Sequence, residues 1–325
     1  PAVLEAHEGR FTRLKVPVDA PAAQRDPRVV ETVSAMLLDI ERRGIDAVRD
    51  YAKQLDRWEG DDLEIPASRI ATSGDRIAPE LRRAIELGAE RTQAFARRQR
   101  EGHVDFDVEL APGLHTGVRH VPVGRVGAYL PAGRFPLTAS AFMTVGVAKA
   151  AGVPLVIACT PPQPNGRAND AVLYTAHVSG ADRVFLLGGV QALAAMAFGL
   201  IDDLPVDMLV GAGNAFVAEA KRQLFGRVAI DLLAGPSEVA VLSDDAADPE
   251  IVAADLLGQA EHGPNSPAAL VTTSEAHGLA VIAEVERQLG TLATADVCGP
   301  AWRDHGSVTV ADSREVAAAL MDDLA

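Results

Sequence analysis

The sequence predicts an α/β protein whose sheet strands are mostly parallel. From Val123 onward, short apolar runs alternate with segments of helical periodicity, and this alternation is typical of βαβ units. Gly and Pro residues stand at nearly every junction between the runs, as turns require. The 325 residues, of which 48% are hydrophobic, are enough for two domains, because single cores stop growing at about 250–300 residues.

The first part of the chain is predicted to be helical. Asp26 before Pro27 provides an N-cap followed by proline at the first helical position, where a missing N–H costs nothing. Apolar residues then recur at helical spacing over 29–40. Gly44 interrupts the pattern, and the apolar face continues over 45–55.

The remaining elements are predicted from apolar runs and helical periodicity. Helices are expected at 79–101, 139–151, 168–179, 190–199, 213–225, 248–262, 274–290 and 313–324. Strands are expected at 126–130, 155–159, 183–187, 207–210, 239–242, 268–272 and 307–310. Helices between successive strands indicate crossover connections, which join parallel strands.

The composition argues against several classes of partner. A formal net charge of −15 repels phosphate backbones and anionic lipid, so we expect neither nucleic-acid nor membrane-surface binding. No apolar run approaches the roughly 20 residues of a membrane span. Cys159 and Cys298 stand far apart without a CxxC motif, and the N-terminus carries no export signal. These features are typical of a cytoplasmic protein.

Two glycine-rich turns are candidates for cofactor binding. The segment 211–216 (GAGNAF) begins like the dinucleotide fingerprint GxGxxG, but Phe216 occupies the third glycine position. Phosphate binding at the following helix N-terminus and a ligand-free turn both remain open. The segment 188–191 (GGVQ) is a second such turn, and its Gln191 can donate to a cofactor amide or ribose.

A candidate metal site lies at the end of a predicted helix. Gln259 and His262 are three residues apart, so they share a helix face and can converge on one metal ion. Two ligands do not complete a tetrahedral zinc site, and a histidine that caps the helix is the alternative. Ser237, in a turn after 230–236, is suited to hydrogen-bonding a substrate; a turn hydroxyl with an internal partner is the alternative.

Several motifs together resemble the histidinol dehydrogenase family. They are, in order, 126–131 (VGAYLP), 188–199 (GGVQALAAMAFG), 211–223 (GAGNAFVAEAKRQ), 229–238 (AIDLLAGPSE) and 255–263 (DLLGQAEHG). The resemblance runs from about residue 25 to the end of the chain, and motifs of this length in this order are highly specific.

The resemblance implies a fold and a domain division. The family fold has two incomplete Rossmann-like α/β domains, one inserted in the other, which explains the missing GxGxxG. We expect an N-terminal arm over 1–24, a discontinuous first domain of 25–127 plus 237–325, and an inserted second domain over 128–236. The resemblance also implies a homodimer whose active site is shared between the subunits.

The resemblance also implies roles for individual residues. Gln259 and His262 stand where the family has two zinc ligands that also contact the substrate. Three residues match positions that contact NAD, and Ser237 matches a substrate contact. The NAD positions are Tyr129, Gln191 and Asn214.

The end of the chain bears on catalysis. The sequence stops at Ala325, before the place where the family carries a catalytic Glu-His pair and two further zinc ligands. We therefore expect no catalytic residue in this chain and no activity from it alone. A dinucleotide-binding or structural relative without catalysis is the alternative.

The implied reaction is a zinc-dependent, NAD+-linked oxidation of a primary alcohol to a carboxylate in two hydride transfers. The segments 57–58, 131–140 and 300–304 resemble a subgroup that includes sulfopropanediol dehydrogenases, which oxidise 2,3-dihydroxypropane-1-sulfonate to sulfolactate. Arg134, shortly after Tyr129, is the candidate partner of the sulfonate, since a guanidinium forms strong paired hydrogen bonds with such oxyanions. Oxidation of L-histidinol to L-histidine is the alternative.

Overall fold

The computed structural model describes residues 7–18, 26–60, 62–132, 136–233 and 238–324. The strands in these ranges are β1 (Phe11–Lys15), β2 (Phe106–Ala111), β3 (Leu114–Val118), β4 (Arg125–Tyr129), β5 (Leu155–Thr160), β6 (Arg183–Leu186), β7 (Met208–Val210), β8 (Ala229–Ile230), β9 (Val239–Ser243), β10 (Ala268–Thr272) and β11 (Gly306–Ala311).

Helices fill most of the chain between the strands. They are α1 (Pro27–Arg43), α2 (Ile45–Asp56), α3 (Ala67–Ala71), α4 (Pro79–Glu101), α5 (Ala139–Ala141), α6 (Val147–Ala151), α7 (Asp170–Ser179), α8 (Gly189–Ala197), α9 (Ala215–Leu224), α10 (Pro249–Ala260), α11 (Glu275–Leu289), α12 (Ala295–His305) and α13 (Arg314–Leu324). A 3₁₀ turn (Ser73–Arg76) precedes α4, and a π-helical turn (Phe142–Gly146) joins α5 to α6.

The chain divides into two compact units. Arg25–Ala234 forms the five-strand unit, and Pro1–Gln24 with Gly235–Ala325 forms the four-strand unit. This division differs from the expected one, which joins 25–127 to the C-terminal segment.

The physical reason for the difference is the apolar face of α1. Its buried residues, among them Val33 and Ile40, belong to the same hydrophobic core as the strands β4 and β5. The N-terminal segment is also more than an arm, because β1 pairs with β11 along the edge of the four-strand sheet.

The five-strand sheet is parallel throughout, with the order β6-β5-β4-β7-β8. From the central strand β4 the chain proceeds outward to β5 and β6, and it then returns to the other side of β4 to form β7 and β8. The point where the order reverses lies between β4 and β7, where Ala128 pairs with Val210. In open α/β sheets, ligands bind at the carboxyl ends of the strands at such a switch point.

The first two helices begin and end where the sequence predicts. The Asp26 carboxylate accepts a hydrogen bond from the Arg28 N–H at 2.9 Å and so caps α1. Gly44, with φ of 64°, ends α1 and begins α2. A side chain would be strained at this positive φ, which is why glycine marks the break.

The four-strand sheet has the order β1-β11-β10-β9, with β1 antiparallel and the other strands parallel. Helices α10, α11 and α12 bury apolar residues in one core with this sheet, including Leu256, Val281 and Trp302. α12 is not predicted from the sequence, because it contains Pro300, which normally interrupts a helix.

The α/β fold class and the mostly parallel sheets are confirmed. Each of the seven strands predicted from apolar runs is present, with ends within one residue of the expected bounds. The β2–β3 hairpin is not predicted, and its residues are exposed throughout. Among the described residues, no helix is long and apolar enough to cross a membrane.

Candidate functional site

Tyr129 ends the central strand of the five-strand sheet. Its side chain is only 6% exposed, and its hydroxyl accepts a hydrogen bond from the Gly189 N–H at 3.1 Å. Burial raises the pKa of Tyr129 to about 12, so the phenol is neutral at physiological pH. The hydroxyl therefore keeps its own proton, which it can donate to a ligand at the sheet edge.

Gln191 lies in the first turn of α8, after β6, and is 1% exposed. Its Nε2 donates to Asp56 Oδ2 at 2.9 Å, and the Gly188 N–H donates to the same oxygen at 2.9 Å. The Oε1 atom of Gln191 is buried without a hydrogen-bond partner among the described residues. An acceptor in this state costs about 1–3 kcal/mol unless a ligand or a water molecule satisfies it.

Asp56, the last residue of α2, connects that helix to the turn that carries Gln191. Burial raises the pKa of the Asp56 carboxyl, while its hydrogen bonds from Gly188 and Gln191 lower it. A Cβ atom on Gly188 would lie 2.5 Å from Asp56 Oδ1, so any other residue at this position would displace the Asp56 carboxylate. The sequence does not reveal Asp56, because Gly188 lies 132 residues further along the chain.

The loop that begins at Gly211 follows β7 and lies beside Tyr129. Gly211 has φ of 122°, and a Cβ there would approach the Tyr129 carbonyl oxygen to 2.4 Å. Asn214 caps α9, since its Oδ1 accepts from the N–H groups of Phe216 at 3.1 Å and Val217 at 3.2 Å. Its Nδ2 is thus the end that can serve a ligand, and it can only donate.

A buried ion pair holds Gly211 in place. Lys221, on α9, is 1% exposed; its Nζ donates to the Gly211 carbonyl at 2.8 Å and pairs with Asp231. Asp231 Oδ2 in turn accepts from the Gly211 N–H at 2.8 Å. Both backbone groups of the glycine are thereby fixed. The burial of Lys221 could have been predicted from the sequence, because its spacing from Val217 and Leu224 places it on the apolar face of α9.

Three segments thus meet at the carboxyl edge of the five-strand sheet. Tyr129 contacts the Gly188–Gln191 turn through Gly189, and the Gly211 backbone lies against the Tyr129 backbone. The edge offers a hydroxyl donor, an amide acceptor, an amide donor and the N-terminus of α9. A nucleotide cofactor has complementary groups: a ring amino group, ribose hydroxyls and phosphates.

The predicted metal ligands lie in the four-strand unit. Gln259 is half-buried in the last turn of α10, which ends at Ala260 and not at 262 as predicted. His262 lies in the following turn, is exposed, and donates its backbone N–H to the Gln259 carbonyl at 3.1 Å. Glu261 accepts a hydrogen bond from Thr294 Oγ1 at 2.6 Å, a contact within the four-strand unit.

These two residues fit zinc as part of a coordination sphere. An imidazole nitrogen is a preferred zinc ligand, and a carboxamide oxygen is a weaker one. Within the described ranges, no three His, Cys, Asp or Glu side chains are grouped so that they could hold a metal ion. Gln259 and His262 alone would leave a tetrahedral zinc site two ligands short.

Two predicted site residues cannot be placed in the same way. Arg134 falls in the segment 133–135 and Ser237 in the segment 234–237, and both segments lie outside the described residues.

The parallel sheet, with glycine turns that meet at its carboxyl edge, defines a Rossmann-like α/β protein. The sequence profile described as "Histidinol dehydrogenase" matches residues 20–325. The chain therefore belongs to the histidinol dehydrogenase family, whose members are NAD-dependent oxidoreductases that act on CH–OH groups.

Individual relatives agree with this assignment. The chain is 48% identical over 298 residues to a "Histidinol dehydrogenase homolog" of Shouchella clausii, covering 92% of this chain and 70% of that protein. It is 43% identical to a "Sulfopropanediol 3-dehydrogenase" of Ruegeria pomeroyi, covering 90% and 68%. The crystal structure of histidinol dehydrogenase from Elizabethkingia anophelis superimposes with a TM-score of 0.83 at 34% identity, covering 90% and 67%.

Proposed function

We propose that this protein oxidises a small primary alcohol to a carboxylate and that NAD+ binds at the carboxyl edge of the five-strand sheet. The observation that carries the cofactor site is the buried Oε1 of Gln191, which has no hydrogen-bond partner among the described residues. Gln191 lies in the turn after β6, and Gly189 of that turn donates to Tyr129 at the end of β4, beside the topological switch point. The four-electron oxidation is balanced as RCH₂OH + H₂O + 2 NAD+ → RCOO⁻ + 2 NADH + 3 H+.

Each residue at the edge has a distinct part in holding the dinucleotide. The Tyr129 hydroxyl donates its proton to a ligand oxygen while it accepts from Gly189. Asn214 directs Nδ2 to the ligand because its Oδ1 caps α9. The N-terminus of α9, beside Asn214, favours a phosphate group, since the positive end of the helix dipole attracts anions.

Gln259 and His262 are the proposed zinc ligands of this chain. When bound, zinc polarises and orients the alcohol oxygen as a Lewis acid. The exposed His262 side chain is accessible to the metal, and Gln259 is anchored in the last turn of α10. Since family members are dimeric, we propose that the enzyme is a homodimer whose subunits share the active site, with a small alcohol as its substrate.

For the substrate we propose 2,3-dihydroxypropane-1-sulfonate, oxidised to 3-sulfolactate. The resemblance of 131–140 to the sulfonate-oxidising subgroup and the 43% identity to a sulfopropanediol dehydrogenase support this choice. Arg134 is the proposed sulfonate partner. L-Histidinol is the second candidate, favoured by the structural match to a histidinol dehydrogenase.

The test is a comparison of kcat/KM for the two alcohols in the full-length enzyme with zinc and NAD+. The sulfonate should be the better substrate, and two NADH should form for each alcohol consumed. Arg134→Ala should lower kcat/KM for the sulfonate by about 30–150-fold, equivalent to about 2–3 kcal/mol, and leave histidinol turnover nearly unchanged. Turnover of histidinol without turnover of the sulfonate would reject the substrate proposal.

A further inference from the structure

The hydrogen bonds around Gln191 fix which end of its amide faces a ligand. A carboxylate only accepts hydrogen bonds, so the contact with Asp56 Oδ2 must come from the Nε2 end of Gln191. The Oε1 end therefore points away from Asp56, and it is the atom that lacks a partner among the described residues.

Asp56 is itself held firmly. Its Oδ2 accepts a second hydrogen bond from the Gly188 N–H, and its Oδ1 lies 2.5 Å from the point where a Cβ on Gly188 would stand. A rotation of the carboxylate would break both hydrogen bonds, from Gly188 and from Gln191. Because Gln191 is 1% exposed, packing also restricts rotation of its amide.

We infer that Asp56 is a positioning residue that makes Gln191 an obligate hydrogen-bond acceptor, and that the acceptor receives a ring-borne amino group of the dinucleotide. This inference rests on the proposed NAD+ site. A ribose hydroxyl binds equally well to either end of an amide, so a fixed orientation discriminates only for a group that solely donates. NAD+ has two such groups, the nicotinamide carboxamide NH₂ and the adenine amino group.

Two cofactor analogues distinguish these donors. 3-Acetylpyridine adenine dinucleotide replaces the carboxamide NH₂ with a methyl group, and nicotinamide hypoxanthine dinucleotide replaces the adenine amino group with an oxo group. Dissociation constants of NAD+ and both analogues would be measured by calorimetry on the wild type, Gln191→Met, Asp56→Ala and Asp56→Asn.

In the wild type, one analogue should bind about 10–100-fold more weakly than NAD+, since it leaves the buried Oε1 unpaired. The ratio of the analogue Kd to the NAD+ Kd should fall to near one in Gln191→Met, which lacks the amide acceptor. It should also fall to near one in Asp56→Ala, where the Gln191 amide is free to rotate by about 180°. Asp56→Asn should restore the ratio, because its carbonyl oxygen can accept from both Gly188 and Gln191. A general loss of structure would weaken the binding of NAD+ and of both analogues together, and it would not lower the ratio in Asp56→Ala while Asp56→Asn keeps it.

Three results would overturn the inference: a wild type that binds NAD+ and both analogues alike, Asp56→Ala with the wild-type ratio, or Asp56→Asn with a ratio near one. Each variant is first checked for a native circular-dichroism spectrum. If the wild type fails to bind NAD+ at all, the proposed function fails, and that outcome is distinct from binding without discrimination.

Discussion

Loss of either partner of the Lys221–Asp231 ion pair should destabilise the five-strand unit, and loss of Asp231 should cost more than loss of Lys221. Asp231→Ala leaves the Lys221 ammonium, 1% exposed, without its counter-ion, and it leaves the Gly211 N–H without an acceptor. Loss of one partner of a buried pair costs about 3–5 kcal/mol. Lys221→Met leaves Asp231, whose side chain is 28% exposed and keeps contact with water, and the Gly211 carbonyl loses one donor. Its cost should be about 1–3 kcal/mol.

Urea unfolding followed by circular dichroism at fixed protein concentration measures these differences as shifts of the transition midpoint. The double variant, Lys221→Met with Asp231→Ala, should be less destabilised than the sum of the singles by about 1 kcal/mol or more, because it leaves no unpaired charge. Lys53→Met, at an exposed position in α2, is the matched control and should lie within about 0.5 kcal/mol of the wild type. Strictly additive single effects, or Asp231→Ala as stable as the control, would refute the reasoning.

Three further predictions follow from the same contacts. Tyr129→Phe removes the oxygen that accepts from the Gly189 N–H and the proton that is offered to the ligand. The Kd for NAD+ should therefore rise about 5–30-fold, and an unchanged Kd would exclude the hydroxyl from the site. His262→Ala should abolish turnover and zinc retention in the full-length enzyme. Its Tm should change little, because the His262 side chain is exposed. A variant that keeps zinc and activity would disprove the ligand assignment. Burial raises the pKa of Asp56 above its value in the unfolded chain, so the protonated carboxyl favours the folded state and ionisation disfavours it. The stability that the protonated carboxyl contributes is lost as the pH rises through the pKa of the folded state. Any stability advantage of Asp56→Asn over wild type should therefore shrink as the pH falls from 7 toward about 4, and a constant difference would contradict it.

The strand and helix positions of the parallel sheets could be predicted because each buried strand is a continuous apolar run between glycine or proline turns. β4 shows the pattern, with four of its five residues buried. β1 (FTRLK) could not be predicted in this way, because it is an edge strand in which polar residues interrupt the apolar ones and no residue is fully buried. The hairpin of β2 and β3 has no buried face to give it a signal.

The candidate site shows the same limit. Tyr129, Gln191 and Asn214 stand next to strand ends and in recognisable motifs, so the sequence alone is enough to propose them as candidates. Asp56 acts through a partner 132 residues away and lies in none of the recognised motifs. Asp231 lies in the motif 229–238, but that motif does not indicate its contact with Gly211. Long-range pairs of this kind depend on which strands and helices become neighbours, which local periodicity does not determine.

The central claim is that the carboxyl edge of the five-strand sheet is the dinucleotide site. A crystal structure of the enzyme grown with NAD+ tests it most directly. The account predicts NAD+ across the ends of β4, β6 and β7, with a ligand nitrogen about 2.7–3.2 Å from Gln191 Oε1 and a phosphate near the N-terminus of α9. Density for NAD+ at another place, with this edge empty, would contradict it.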